Sequence, residues 1–182
     1  MSKIIVFRGS PKKNGTTAAL LAELINGVKS KGAQIVEYDL NDKNLHGCQA
    51  CNACRNEGVS ACVQNDYLKP MYADLKDADG IVLGAPIYMG TITAQAWILI
   101  NRLFPAMGSD FSPRFPGKNV GMIITQGNPD AGAFKPAVDG IMQFFAGLGW
   151  QDKGSLIWAN AGGDAPEDLK KQAFAIGEKL VK

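Results

Sequence analysis

All four cysteines of the chain fall between positions 48 and 62. Cys48, Cys51, Cys54 and Cys62 give the spacing C-x2-C-x2-C-x7-C. Thiols three residues apart do not spread through a core. They curl round one small inorganic object, with the fourth returning from a short loop. A cubane iron–sulfur cluster takes four thiolates on that scale. Structural zinc usually takes two separate C-x2-C knuckles, roughly fifteen to twenty residues apart, whereas Cys51 here belongs to both pairs of one continuous run. The ferredoxin run has the same three-residue interval, but Val63 stands where its proline would follow, and its fourth cysteine serves a second cluster. An iron–sulfur site therefore ranks first, with zinc and disulfides or unligated thiols left as alternatives. The polar neighbours Gln49, Asn52, Arg55, Asn56 and Glu57 make the segment a loop, about 45–65, rather than a core helix. His46, the single histidine, reads as a solvated loop residue without a chemical role.

Three further loops are polar. Arg8-Gly9-Ser10-Pro11-Lys12-Lys13-Asn14-Gly15-Thr16-Thr17 follows an apolar run and opens into a helical pattern. Unpaired amides at a helix start, the macrodipole and hydroxyl donors suit a phosphate there. An ordinary cap by Asn14 or Thr16, with Lys12 and Lys13 solvated, is the competing reading. The loop is neither G-x-x-x-x-G-K-[ST] nor G-x-G-x-x-G, which disfavours a nucleotidase or a dinucleotide site. Gly84-Ala85-Pro86-Ile87-Tyr88-Met89-Gly90-Thr91 offers a surface on which a planar ring can dock, unless Tyr88 and Met89 are packing residues. Thr125-Gln126-Gly127-Asn128-Pro129 adds an amide and hydroxyls.

The elements that must carry these loops alternate strand and helix from end to end, the form of a parallel sheet covered on both faces. Strands are expected at Ile4–Phe7, Ile35–Leu40, Ile81–Leu83, Val120–Ile124 and Leu156–Trp158. Helical spacing runs through Ala18–Val28, Tyr67–Ala78, Thr91–Phe104, Phe134–Leu148 and Glu167–Val181. In such sheets ligands gather outside the carboxyl ends of the strands, where strand order reverses. The helix from Thr91 is apolar nearly all round, which calls for cover on two sides and points to a homo-oligomer.

At 182 residues the chain suits one domain, and with Lys plus Arg at 19 against Asp plus Glu at 17 it has no footprint for nucleic acid or an acidic membrane. No apolar stretch approaches the roughly 20 residues of a membrane span, and no secretory leader is visible. A soluble cytoplasmic protein with reduced thiols is expected.

Gly9-Ser10-Pro11-Lys12-Lys13-Asn14-Gly15-Thr16-Thr17-Ala18, the compact cysteine run, Ala78-Asp79-Gly80, Pro86-Ile87-Tyr88-Met89-Gly90 and Thr125-Gln126-Gly127-Asn128 together resemble the iron–sulfur flavoproteins, a branch of the flavodoxin-like NADPH-dependent FMN reductases. The resemblance spans nearly the whole chain. It implies an α/β flavodoxin-like three-layer sandwich, with a five-stranded parallel sheet in the order 2-1-3-4-5 and the cysteine-rich loop inserted after strand 2. It also implies that Ser10, Asn14, Thr16 and Thr17 hold the FMN phosphate, with Lys12 in the same loop. Pro86, Ile87, Tyr88, Met89 and Gly90 would border the ribityl chain and isoalloxazine, and Thr125, Gln126 and Gly127 would approach the ring. The four cysteines would ligate a [4Fe-4S] cluster, with ferredoxin or NAD(P)H as donor in a homodimer or homotetramer that sets the cluster of one subunit near the flavin of another. The family often carries Asn at the position of Thr16, Lys at Trp97 and Asp at Asn101. A cluster-free NAD(P)H-dependent FMN or quinone reductase, a non-catalytic electron carrier and a zinc-stabilised binding domain are the rival readings.

Overall fold

A computed structural model of the chain describes residues 1–41 and 44–182. The first strand, β1 (Lys3–Arg8), is a run of β-branched and aromatic residues whose side chains alternate between two covered faces. Ile4 and Val6 point to one core, Ile5 and Phe7 to the other, and none is exposed to solvent. Parallel partners flank it, β2 (Gln34–Asp39) on one side and β3 (Gly80–Tyr88) on the other. Beyond β3 lie β5 (Asn119–Thr125) and β6 (Gln151–Trp158), also parallel. The order β2-β1-β3-β5-β6 is the flavodoxin-like order.

One strand lies outside that expectation. β3 runs five residues past Leu83, so Gly84-Ala85-Pro86-Ile87-Tyr88 is sheet rather than loop, and the two-residue β4 (Thr91–Ile92) folds back antiparallel on its end. Met89 and Gly90 make the turn with φ of +52° and +87°, the pair of positive angles that a two-residue hairpin favours.

Helices α1 (Thr16–Ser30) and α5 (Glu167–Leu180) cover one face of the sheet. They pack backbone to backbone: a Cβ on Gly27 would stand 2.0 Å from the Phe174 carbonyl oxygen, and one on Gly177 would stand 2.1 Å from that of Leu24. Helices α2 (Met71–Asp77), α3 (Ala94–Arg102) and α4 (Lys135–Gly147) cover the other face. The helix expected from Tyr67 starts at Met71, because Pro70 disfavours helical backbone at the residue before it. α3 needs less outside cover than its composition suggests: Ala96, Leu99 and Ile100 are buried, Ile98 packs partly against the core, and Trp97 remains 38% exposed.

Between β2 and α2, the cysteine segment contains one short 3-10 turn, Ala53–Arg55. Ala50 and Asn52 adopt left-handed backbone with φ of +52° and +56°, a conformation that non-glycine residues rarely hold. Those two bends curl the chain between Cys48 and Cys54. Among the described residues no helix is long and apolar enough to cross a membrane.

Candidate functional site

The chain leaves β1 for β2 on one side and later returns to β3 on the other, which opens a crevice at the carboxyl ends of β1, β3 and β5. The root of the first loop is fixed there. The Gly9 amide donates to the Gly84 carbonyl at 2.7 Å, and the Thr93 hydroxyl donates to the Gly9 carbonyl at 2.6 Å. A Cβ on Gly9 would lie 2.9 Å from that of Ala96, so only glycine lets loop and helix meet this closely. Ser10 Oγ accepts from the Lys12 amide at 3.2 Å and turns the loop back on itself.

α1 begins after Gly15 without a side-chain cap and without an acidic residue in its first turn. Neither Asn14 nor Thr16 takes the capping role. The opening amides of α1 stay available to an anion, with Lys12 and Lys13 exposed nearby. Thr17 is buried, and its hydroxyl shares a 2.7 Å hydrogen bond with that of Thr125, which joins the start of α1 to the end of β5.

Ser10, Lys12, Thr16, Thr17, Pro86, Ile87, Tyr88, Thr125, Gln126 and Gly127 line one cavity at this crevice, so three separate loops converge. Asn14 lies on the outer side of the loop, in a neighbouring groove with Lys13 and Asp39. Met89 and Gly90 form the hairpin tip, outside the cavity lining. Tyr88 is 46% exposed and Met89 fully so, which rules out a core-packing role for either. The Gln126 amide nitrogen donates to the carbonyls of Asn128 and Asp130, while its oxygen is buried without a hydrogen-bond partner. A flavin mononucleotide fits this donor set: uncapped amides for the phosphate, an exposed aromatic wall for the ring and an unused acceptor for a ring N–H.

The four cysteines line a second cavity, together with Gln64, Asn101, Arg102 and Phe104. Cys48 and Cys51 are exposed, Cys54 and Cys62 are buried, and all four are free thiols. The Ala50 amide points at Cys48 Sγ from 3.4 Å, and Gln64 Nε2 at Cys62 Sγ from 3.7 Å. Burial pushes the Cys54 thiol pKa up, and the Cys62, Cys48 and Cys51 thiols push it further. A cationic centre in the cavity would offset that cost and favour the Cys54 thiolate. Among the described residues no three His, Cys, Asp or Glu side chains converge on a point suited to a single metal ion. A cubane asks for something else, since each thiolate binds a different iron of a larger object. On donor chemistry and spacing the residues fit it.

Cationic side chains hold the segment in place. Arg114 Nη1 donates to the Cys54 carbonyl at 3.0 Å, Lys69 Nζ to the Cys62 carbonyl at 2.6 Å, and Arg102 Nη1 to the His46 carbonyl at 3.0 Å. The His46 ring is exposed; its backbone oxygen is what the structure uses. Arg55 lies over the rings of Phe104 and Phe111, 5.2 and 4.0 Å from their centroids. The motifs give no hint of Thr93, Gln64, Arg102, Arg114 or Ala161, the last of which also lines the crevice. Only Thr93 carries a legible signal, a threonine just before a helix, where it accepts from the Ala96 amide at 3.3 Å.

Residues 2–163 match the family described as NADPH-dependent FMN reductase. An iron–sulfur flavoprotein of Methanocaldococcus jannaschii is 31% identical over 179 residues, covering 96% of this chain and 90% of the relative. One of Archaeoglobus fulgidus is 27% identical over 183 residues, covering 98% of this chain and 79% of the relative. The solved NAD(P)H:quinone oxidoreductase from Methanothermobacter marburgensis has the same fold, with a TM-score of 0.75 at 13% identity over 99% of this chain and 96% of that one. With the family matched over most of its length, the chain belongs to the NADPH-dependent FMN reductases, on the branch of the iron–sulfur flavoproteins, and is a flavin-dependent oxidoreductase.

Proposed function

We propose that the chain holds FMN in the crevice and a [4Fe-4S] cluster between Cys48, Cys51, Cys54 and Cys62, and that it moves electrons between a donor, ferredoxin or NAD(P)H, and an acceptor. The observation that carries this reading is the convergence of all four thiols on one cavity. When bound, FMN supplies one- and two-electron chemistry and the cluster one-electron exchange.

The protein's own part is to position and tune. The first turn of α1 and the hydroxyls of Ser10 and Thr16 would hold the phosphate, Tyr88 would border the ring and the Gln126 oxygen would be free to accept from it. Ala50 and Gln64 aim N–H groups at sulfur. α3 connects the two cavities: Thr93 at its start anchors the Gly9 loop, and Asn101 and Arg102 at its end line the cysteine cavity. Nine helical residues rise about 13 Å at 1.5 Å each, so one short helix separates the two sites. No side-chain acid or nucleophile is required. The partly exposed Trp97, whose Nε1 donates to the Thr91 hydroxyl, supports a homodimer or homotetramer, and four free thiols suit a reducing cytoplasm.

A cluster-free NAD(P)H-dependent FMN or quinone reductase is the second reading, favoured by the match of residues 2–163 to the family described as NADPH-dependent FMN reductase. Anaerobic turnover with a quinone acceptor separates the two. Cys51→Ser is expected to keep FMN and to lose turnover driven by reduced ferredoxin. Equal turnover in wild type and variant, with either donor, would leave the cluster-free reductase.

A further inference from the structure

Arg102 is the last residue of α3 and its side chain is fully buried, with 0% exposure. A basic residue at a helix end complements the macrodipole from the surface, so burying it needs another reason, because desolvating a guanidinium is costly. Its partner is Asp66, only 8% exposed, which meets both Nη1 and Nη2, the latter at 3.1 Å. Nε donates to the Tyr72 hydroxyl at 3.3 Å and Nη1 to the His46 carbonyl at 3.0 Å.

The pair is oriented. Arg102 lines the cavity of the four cysteines, whereas Asp66 lies in the wall of a different hollow, with Asn65 and Tyr67. The cationic residue thus belongs to the wall of the cysteine cavity and the anionic residue to the wall of another. Burial alone would pull the Arg102 pKa down, but hydrogen bonds with Asp66 and Tyr72 outweigh it and the net direction is up, so the cation is permanent.

We propose that Arg102 and Asp66 form an oriented ion pair that sets the reduction potential of the group held by the four cysteines, with Arg102 raising it and Asp66 moderating the effect. The inference rests on the cluster reading above. A cluster ligated by four thiolates gains negative charge when it takes up an electron, and a fixed cation in a poorly solvated wall favours that uptake. Removing the cation leaves Asp66 as an uncompensated anion, which disfavours it. Neutralising Asp66 leaves Arg102 unopposed. A purely structural pair would not produce shifts of opposite sign.

The test is a redox titration of the cluster, followed by electron paramagnetic resonance, on anaerobically reconstituted full-length protein. Arg102→Gln is expected to lower the midpoint potential, Asp66→Asn to raise it, and Arg102→Lys, which keeps the charge without the fork, to stay nearer wild type than either. Shifts of the same sign in Arg102→Gln and Asp66→Asn, or no shift in either, would overturn the proposal while leaving the cluster in place. Should Arg102→Gln fail to take up iron, Asp66→Asn decides alone: a raised potential supports the pair and an unchanged or lowered one overturns it. Wild-type protein that takes up no iron defeats the cluster reading itself, and the proposal with it.

Discussion

The Thr17–Thr125 hydroxyl pair links the phosphate loop to the strand that approaches the ring. Replacing Thr17 by Val leaves the Thr125 hydroxyl buried without its partner, a loss of about 1–2 kcal/mol in folding stability. FMN binding, measured by fluorescence titration, is expected to weaken roughly tenfold, the equivalent of about 1.4 kcal/mol; unchanged affinity would remove the pair from the cofactor site. Cys51 lies at the solvent-exposed lip of the second cavity. Cys51→Ser is therefore expected to leave the apo-protein's thermal midpoint unchanged while abolishing cluster absorbance. At this scale the cysteines and the three loops were legible because their chemistry is local. Arg102, Arg114 and Lys69 were not, because a lone basic residue in a sequence does not say that it will hold the carbonyl of a residue tens of positions away or, as with Lys69 and Cys62, seven.

Two contacts between elements carry stability outside the sites. At the α1–α5 crossing, Gly27→Ala would drive a methyl into the Phe174 carbonyl, a rigid backbone atom. The expected cost is about 1–3 kcal/mol, read from urea denaturation, and a neutral result would mean that the helices can separate freely. Asp74 of α2 receives a 2.6 Å bond from Lys3 of β1 and another from Tyr38 of β2. Burial pushes the Asp74 pKa up, yet the hydrogen bonds from Lys3 and Tyr38 bring it below the ordinary value. A carboxylate depressed on folding contributes full stability above its unfolded pKa, about 3.9, and loses it as pH falls through the folded value. The stability gap between wild type and Asp74→Asn, about 1 kcal/mol at pH 7, is thus expected to hold above the unfolded pKa and to close as pH falls below it. A gap independent of pH would assign the effect to packing. The five parallel strands were readable from apolar runs, since buried parallel strands are continuous in hydrophobicity. The hairpin at Met89-Gly90 was not, because Pro86 suggests that the strand has already ended. Nor was the α2 start, where the apolar spacing from Tyr67 hides the stop at Pro70.

Across the whole molecule, α3 joins a crevice built for an anionic planar cofactor to a cavity lined by every cysteine in the chain. Trp97 is the exposed aromatic on the helix between the two sites. If that face joins subunits, Trp97→Arg should shift the sedimentation coefficient toward that of the monomer; a wild-type monomer at micromolar concentration would refute the assembly. One chain is proposed to carry both cofactors. The most direct measurement is an ultraviolet–visible spectrum with iron, sulfide and FMN analysis on protein purified without oxygen. About four irons, four sulfides and one FMN per chain are expected, the content of a single cubane and a single flavin. Flavin without iron after anaerobic reconstitution would leave a cluster-free flavin reductase.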